Sequence, residues 1–162
     1  MLEGGGVRTT GTPGLFARVG ARLLRSRRLV RAPIWIYRAR AGALFGSRML
    51  MLEHVGRKSG LPRYVVLEVV GHPQPDTYIV PSGFGAKAQW FRNIQANPKV
   101  RVFVRSRAPA TATARVLSTE EADGILAKYQ RRHPRAWQQF QHVLEETLGD
   151  RPLPMVELRL AG

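Results

Sequence analysis

Lys99 to Arg105 reads KVRVFVR, with valine at every second position between mostly basic residues. A period of two belongs to a strand with one buried and one solvated face. It demands a sheet with a core on one side, and its neighbours must supply the partners. Met49 to Val55 (MLMLEHV) is a short apolar run free of Gly and Pro, and Arg63 to Val70 (RYVVLEVV) is rich in β-branched residues. Both read as strands. About seven turn-forming residues join them, so the pair is expected to be antiparallel. HPQPD then breaks the chain, and a third strand begins at Tyr78 to Val80. Thr111 to Leu117 (TATARVL) and Met155 to Leu160 (MVELRL) add two more. The expected fold class is α+β, with about six antiparallel strands.

The helices announce themselves by their ends. Ala88 to Ala96 reads as a short helix with Trp90, Phe91 and Ile94 apolar, stopped by Asn97-Pro98. Ser118-Thr119-Glu120-Glu121 has the form of a capping box, so a helix should run from Thr119 to about Arg132. Pro134 suits the first turn of the next, ending near Leu148. The 162 residues suit one domain. Its expected parts are a flexible tail over 1–14, a helix over 15–32, a sheet core over 49–117, helices over 118–148 and a closing strand over 154–160.

Charge divides the chain unequally. There are 26 Lys+Arg against 11 Asp+Glu, a net +15, and residues 1–48 hold ten arginines with one acid, Glu3. From Leu15 to Arg31, Leu15, Phe16, Val19, Leu23 and Val30 share an arc of about 100° on a helical wheel. Arg18, Arg22, Arg25 and Arg28 take the other side, and Pro33 ends the segment. Two readings of this basic amphipathic helix stay open: packing on the domain, or contact with an anionic membrane surface. Trp35 and Tyr37, set among arginines, fit either. No apolar run reaches about 18 residues, so no membrane span is expected, and no secretory h-region is present. The expected location is the cytoplasm, with peripheral contact at the inner membrane face as the alternative. A nucleic-acid partner is not expected, since no recognition motif accompanies the charge.

The chain has no cysteine. This excludes thiolate metal sites, cysteine nucleophiles and thiol redox chemistry. His54, His72, His133 and His142 lack metal-ligand spacing, so no metal is expected. Any redox chemistry must come from a bound cofactor.

One loop has a chemical logic. In Gly56-Arg57-Lys58-Ser59-Gly60, two glycines let the backbone bend, while Arg57, Lys58 and Ser59 supply a fork of donors, a point charge and a hydroxyl. Arg63 begins the next strand and is placed to face the same anion. The set suits phosphate or carboxylate oxygens; taken alone, a solvated basic turn explains it equally. Downstream, Ser82-Gly83-Phe84-Gly85 reads as a flexible turn with free backbone donors.

The GRKSGxxR loop between two strands, the Ser-Gly loop and the helix Trp90-Phe91-Arg92-Asn93-Ile94-Gln95-Ala96-Asn97-Pro98 occur in this order. Together they resemble the deazaflavin-dependent nitroreductase family, over roughly residues 50–117. The resemblance implies a split β-barrel and a hydride-transferring oxidoreductase that uses coenzyme F-420, a deazaflavin bearing a phosphate and an oligoglutamate tail. It implies Arg57, Lys58, Ser59 and Arg63 for the phosphate and tail. Val66, Pro81, Ser82, Gly83, Trp90 and Asn93 complete the implied cofactor site. Ser82 and Glu68 are the implied catalytic candidates, and Trp137 and Phe140 the implied lid over the substrate. The acceptor implied is a quinone or nitro compound. There are departures: Val66 replaces a proline under the ring, Glu68 a tyrosine used with substrate, and Gly83 a lysine. FMN is the alternative cofactor, and a cofactor carrier or lipid-like ligand binder without turnover is the alternative function. The oligomeric state, monomer or homodimer, stays open.

Overall fold

The computed structural model describes residues 49–104 and 108–162. The expected tail over 1–14, the basic helix over 15–32, Trp35 and Tyr37 lie outside the described residues. The order is β1 (Met49–Val55), β2 (Pro62–Glu68), β3 (Gly71–Gln74), β4 (Thr77–Pro81), α1 (Gln89–Ala96), β5 (Lys99–Phe103), β6 (Ala110–Val116), α2 (Thr119–Arg132), α3 (Pro134–Leu148) and β7 (Met155–Leu160). One 3-10 turn, Gly85–Lys87, precedes α1.

The seven strands form one sheet in the order β2-β1-β5-β6-β7-β4-β3. Every pairing is antiparallel. β2 and β4 stand five places apart in that order yet touch. The sheet therefore curls into a half-barrel, the split-barrel form of an α+β fold. Its inner face buries Leu50, Leu52, Val80, Val102, Val156 and Leu158, and α1 adds Trp90, Phe91 and Ile94 to the same core. The alternation in β5 is realised: Val100 and Val102 point inward, Lys99 and Arg101 outward. On the outer face, α2 and α3 cover β4 and β7, where Ile79 and Met155 pack with Ala122 and Tyr129. Each large side chain buried this way contributes about 1.5–3 kcal/mol, so packing outweighs the exposed ion pairs.

There are seven strands rather than about six, because β3 forms inside the HPQPD segment. Gln74 pairs with Thr77 across the Pro75-Asp76 turn, and His72 stacks on Tyr78 at 4.3 Å. β3 is an edge strand exposed along most of its length. It carries no apolar alternation, and Pro73 is tolerated at an edge.

The capping box on α2 is complete. Glu121 N–H donates to Ser118 Oγ at 3.2 Å, and Ser118 N–H donates back to Glu121 Oε2 at 2.8 Å. Arg115 on β6 also clamps Glu121, at 3.1 Å, and Glu157 on β7, at 3.2 Å. Ser118→Ala should cost about 1 kcal/mol, read as a lower urea midpoint with an unchanged denaturant slope.

Candidate active site

The β1–β2 loop is tightly closed. Gly56 N–H donates to Leu61 O, and Gly60 N–H to Gly56 O, both at 2.8 Å. A Cβ at Gly56 would lie 2.6 Å from Ser59 Oγ, so any other residue there must displace that hydroxyl. Ser59 Oγ accepts from Leu61 N–H at 3.2 Å. The loop is thereby folded with Arg57, Lys58 and Ser59 on its turn.

Arg57 is anchored from across the cleft by α1. Its backbone N–H and its Nη1 both donate to Asn93 Oδ1, at 3.1 and 2.8 Å, and Nη2 donates to Gln89 Oε1 at 2.9 Å. Gln89 and Asn93 stand one helical turn apart, on one face. The Asn93 amide nitrogen lies 3.2 Å from His54 Nδ1. Arginine has only donors. Asn93 must therefore turn its oxygen to Arg57 and its NH2 to His54, and His54 Nδ1 must be the accepting, unprotonated nitrogen. His54 faces Arg63 across the β1–β2 pair. Burial, with the Arg63 charge second, lowers its pKa from 6.5 to about 4. His54 is neutral at neutral pH and its proton sits on Nε2.

These groups border a cleft of about 690 Å³. Its lining includes Arg57, Lys58, Ser59 and Arg63 on one side, and Phe84, Lys87, Gln89, Trp90 and Asn93 on the other. Four cations line it and no carboxylate does. α1 begins in its wall at Ala88 without a side-chain cap, which leaves the positive end of a helix for an anion. Tyr64, Val65 and Trp90 supply apolar wall.

Six of the expected site residues thus meet in one cleft: Arg57, Lys58, Ser59, Arg63, Trp90 and Asn93. The others lie outside its lining. Val66 packs with Met51 and Phe103, on the same face of β2 as Tyr64 but further along the strand. Pro81 ends β4, paired with Met155. Ser82 is fully buried; its hydroxyl donates to Gly85 O at 2.8 Å and its N–H to Pro154 O at 2.8 Å. Gly83 O accepts from Thr147 Oγ1 at 2.9 Å. Glu68 accepts from the Tyr129 hydroxyl at 2.9 Å, at the far end of β2. Trp137 and Phe140 are on α3, with Phe140 6.0 Å from Trp137 and 6.2 Å from Tyr129, against the outer core.

Sequence reasoning missed His54, Phe84, Lys87 and Gln89 as lining residues. The period of β1 places His54 on the face of Leu50 and Leu52, and i,i+4 spacing joins Gln89 to Asn93, so two of them had a signal. Phe84 and Lys87 depend on the path of the loop after β4, which no period encodes.

The His54 shift has a consequence for stability. A histidine depressed in the folded state favours folding fully above its unfolded pKa of 6.5, and that share is lost as pH falls from 6.5 toward 4. The loss should reach about 3 kcal/mol. Urea unfolding at pH 7 and pH 4 should show it in the native chain, and His54→Gln should remove that part of the pH dependence.

The cleft has the donors that a phosphate and a carboxylate tail require, and the apolar wall that a conjugated ring requires. The family described as F420H(2)-dependent quinone reductase matches residues 29–158. No curated protein matches the chain at a significant level. Among solved structures, an F420-H2 dependent reductase (FDR-A) is 26% identical, with 69% of this chain and 94% of that one covered and a TM-score of 0.52. A chain described as a domain-swapped dimer is also 26% identical, over 69% of this chain and 80% of that one, with a TM-score of 0.52. A pyridoxamine 5'-phosphate oxidase-related, FMN-binding protein from Nostoc punctiforme shares the fold at 16% identity, over 80% of this chain and 79% of that one, with a TM-score of 0.51. The chain belongs to the F420H(2)-dependent quinone reductase family, and is an oxidoreductase whose cofactor is coenzyme F-420.

Proposed function

We propose that the 690 Å³ cleft is where coenzyme F-420 binds, and that the acceptor reduced there is a quinone. The observation that carries this reading is the lining itself: four cations, no carboxylate, and an uncapped helix start beside an apolar wall. Lys58 and Arg63 hold the phosphate and tail carboxylates by charge-assisted hydrogen bonds. Arg57, fixed by Asn93 and Gln89, adds its charge while its fork keeps the loop against α1. Ser59 supports the turn through Leu61 and keeps its hydroxyl proton as a donor. His54 stays neutral, so it adds no competing charge beside Arg63. Trp90 and Val65 exclude water from the apolar side.

When bound and reduced, the cofactor supplies a hydride from its C5 position to the acceptor. The chain's task is to position the two rings and keep the surroundings dry and positive. A nitro compound is the other acceptor of the right chemistry. The buried Ser82 acts by shaping the loop after β4, since its hydroxyl proton is committed to Gly85 O.

Among the described residues no helix is long and apolar enough to cross a membrane. Contact with an anionic bilayer through residues 15–32 is part of the proposal, and it suits an acceptor dissolved in lipid. Removing residues 1–33 should reduce co-sedimentation with anionic vesicles; equal sedimentation of both forms would remove this part.

Fluorescence titration with coenzyme F-420 tests the main reading. Lys58→Ala and Arg63→Ala should each weaken binding about tenfold, and raising the salt should weaken the native protein in the same direction. Reduction of menadione by the reduced complex should follow. Unchanged affinity in both variants would overturn the placement.

A further inference from the structure

Phe84 is a large apolar side chain left 61% exposed on the wall of a cationic cleft. An exposed phenylalanine on a mobile loop would mean little. This loop is held at every step. Ser82 N–H donates to Pro154 O, Ser82 Oγ to Gly85 O, and Gly85 N–H to Ser82 O, each at 2.8 Å. Thr147 Oγ1 lies 2.9 Å from Gly83 O and from Val143 O, and its one proton is shared between them. Gly85 adopts φ +75, and a Cβ there would lie 2.9 Å from Leu148 Cδ2. The backbone on both sides of Phe84 is thus fixed to β7 and α3, and only the side chain is left to solvent.

The same wall of the cleft also carries a cation. Phe84 is the N-cap of the 3-10 turn Gly85–Lys87. Lys87 ends that turn, three residues further on. Both line the cleft. A flat apolar face and an ammonium group lining one cleft fit a planar conjugated ring that carries oxygen at its edge. The cost of leaving the phenyl ring in water is recovered when such a ring covers it.

We propose that Phe84 is the stacking platform for a planar, oxygen-bearing conjugated ring in this cleft, with Lys87 meeting the oxygen at its edge. The inference rests on the cleft being the cofactor site. The ring has two sources, the deazaflavin and the quinone acceptor, which share this chemistry. Neither Phe84 nor Lys87 serves the tail-binding loop, so the two placements fail separately.

The test uses the full chain with Phe84→Ala, Phe84→Leu and Phe84→Tyr. Phe84 is exposed, so all three should keep the native melting temperature. Native protein, Lys58→Ala and Arg63→Ala measured alongside report on the cofactor site itself. If the platform takes the deazaflavin, Phe84→Ala raises the Kd for coenzyme F-420 about tenfold. If it takes the acceptor, that Kd is unchanged and the KM for menadione rises about tenfold while kcat is held. In either case Phe84→Tyr restores the native value and Phe84→Leu restores only part of it. Native Kd and KM in Phe84→Ala would overturn the proposal, as would full restoration by Phe84→Leu, which would leave apolar area without stacking as the cause.

Discussion

One carboxamide holds the two walls of the cleft in register. Asn93 takes Arg57 on its oxygen and His54 on its nitrogen, so a helix is joined through a single polar group to a strand end and loop 36 to 39 residues earlier. Its neighbours are constrained by that choice. Arg57 has no acceptor to offer, so the orientation of the amide follows, and with it the tautomer of His54. A protonated His54 would set donor against donor at Nδ1, beside the positive Arg63. Burial and charge both oppose that state. The Asn93 bridge therefore depends on a buried histidine remaining uncharged, and the contact that fixes the loop favours that state.

The distribution of charge then makes sense at close range. Several acids of the described residues are used elsewhere: Glu53 with Arg101, Glu121 and Glu157 with Arg115, Glu68 with Tyr129. None lines the cleft. An anionic ligand meets Lys58, Arg63 and Lys87 without an internal competitor, and the apolar wall of Trp90 and Val65 lowers the local polarity in which those charges act.

Much of the fold was legible because its determinants are local and periodic. β5 follows the valine alternation, α2 begins at its capping box, and α3 begins at Pro134. β3 was not legible, since an exposed edge strand has no buried face to mark it. The phosphate-type loop was readable from its residue types, and the resemblance placed α1 beside it. The resemblance also grouped Val66, Ser82, Glu68, Trp137 and Phe140 with the site. Val66 lies further along β2, packed with Met51 and Phe103, and Ser82 is sealed beneath the turn. A motif carries residue order, but whether a side chain reaches a cleft depends on how far along its strand it stands and on which neighbours seal it. Phe84 lies at the opposite limit: nothing periodic points to it, and its place follows from a loop stitched to distant backbone.

The position of β7 has a consequence for how the molecule is made. This strand is late in the chain but interior in the sheet, between β6 and β4. The residue before it, Pro154, also receives the Ser82 N–H. The β1–β2 hairpin is local and is free to form early, with its basic loop already shaped. The second wall of the cleft waits on contacts that span some seventy residues, between Ser82 and Pro154, and contacts of such long range are slow to close. During synthesis the anion-binding half of the site is therefore ready well before the half that bears Phe84. A chain that has lost β7 is left with two separated sheet fragments rather than a trimmed barrel, so this region should tolerate shortening far less than the end of an ordinary edge strand.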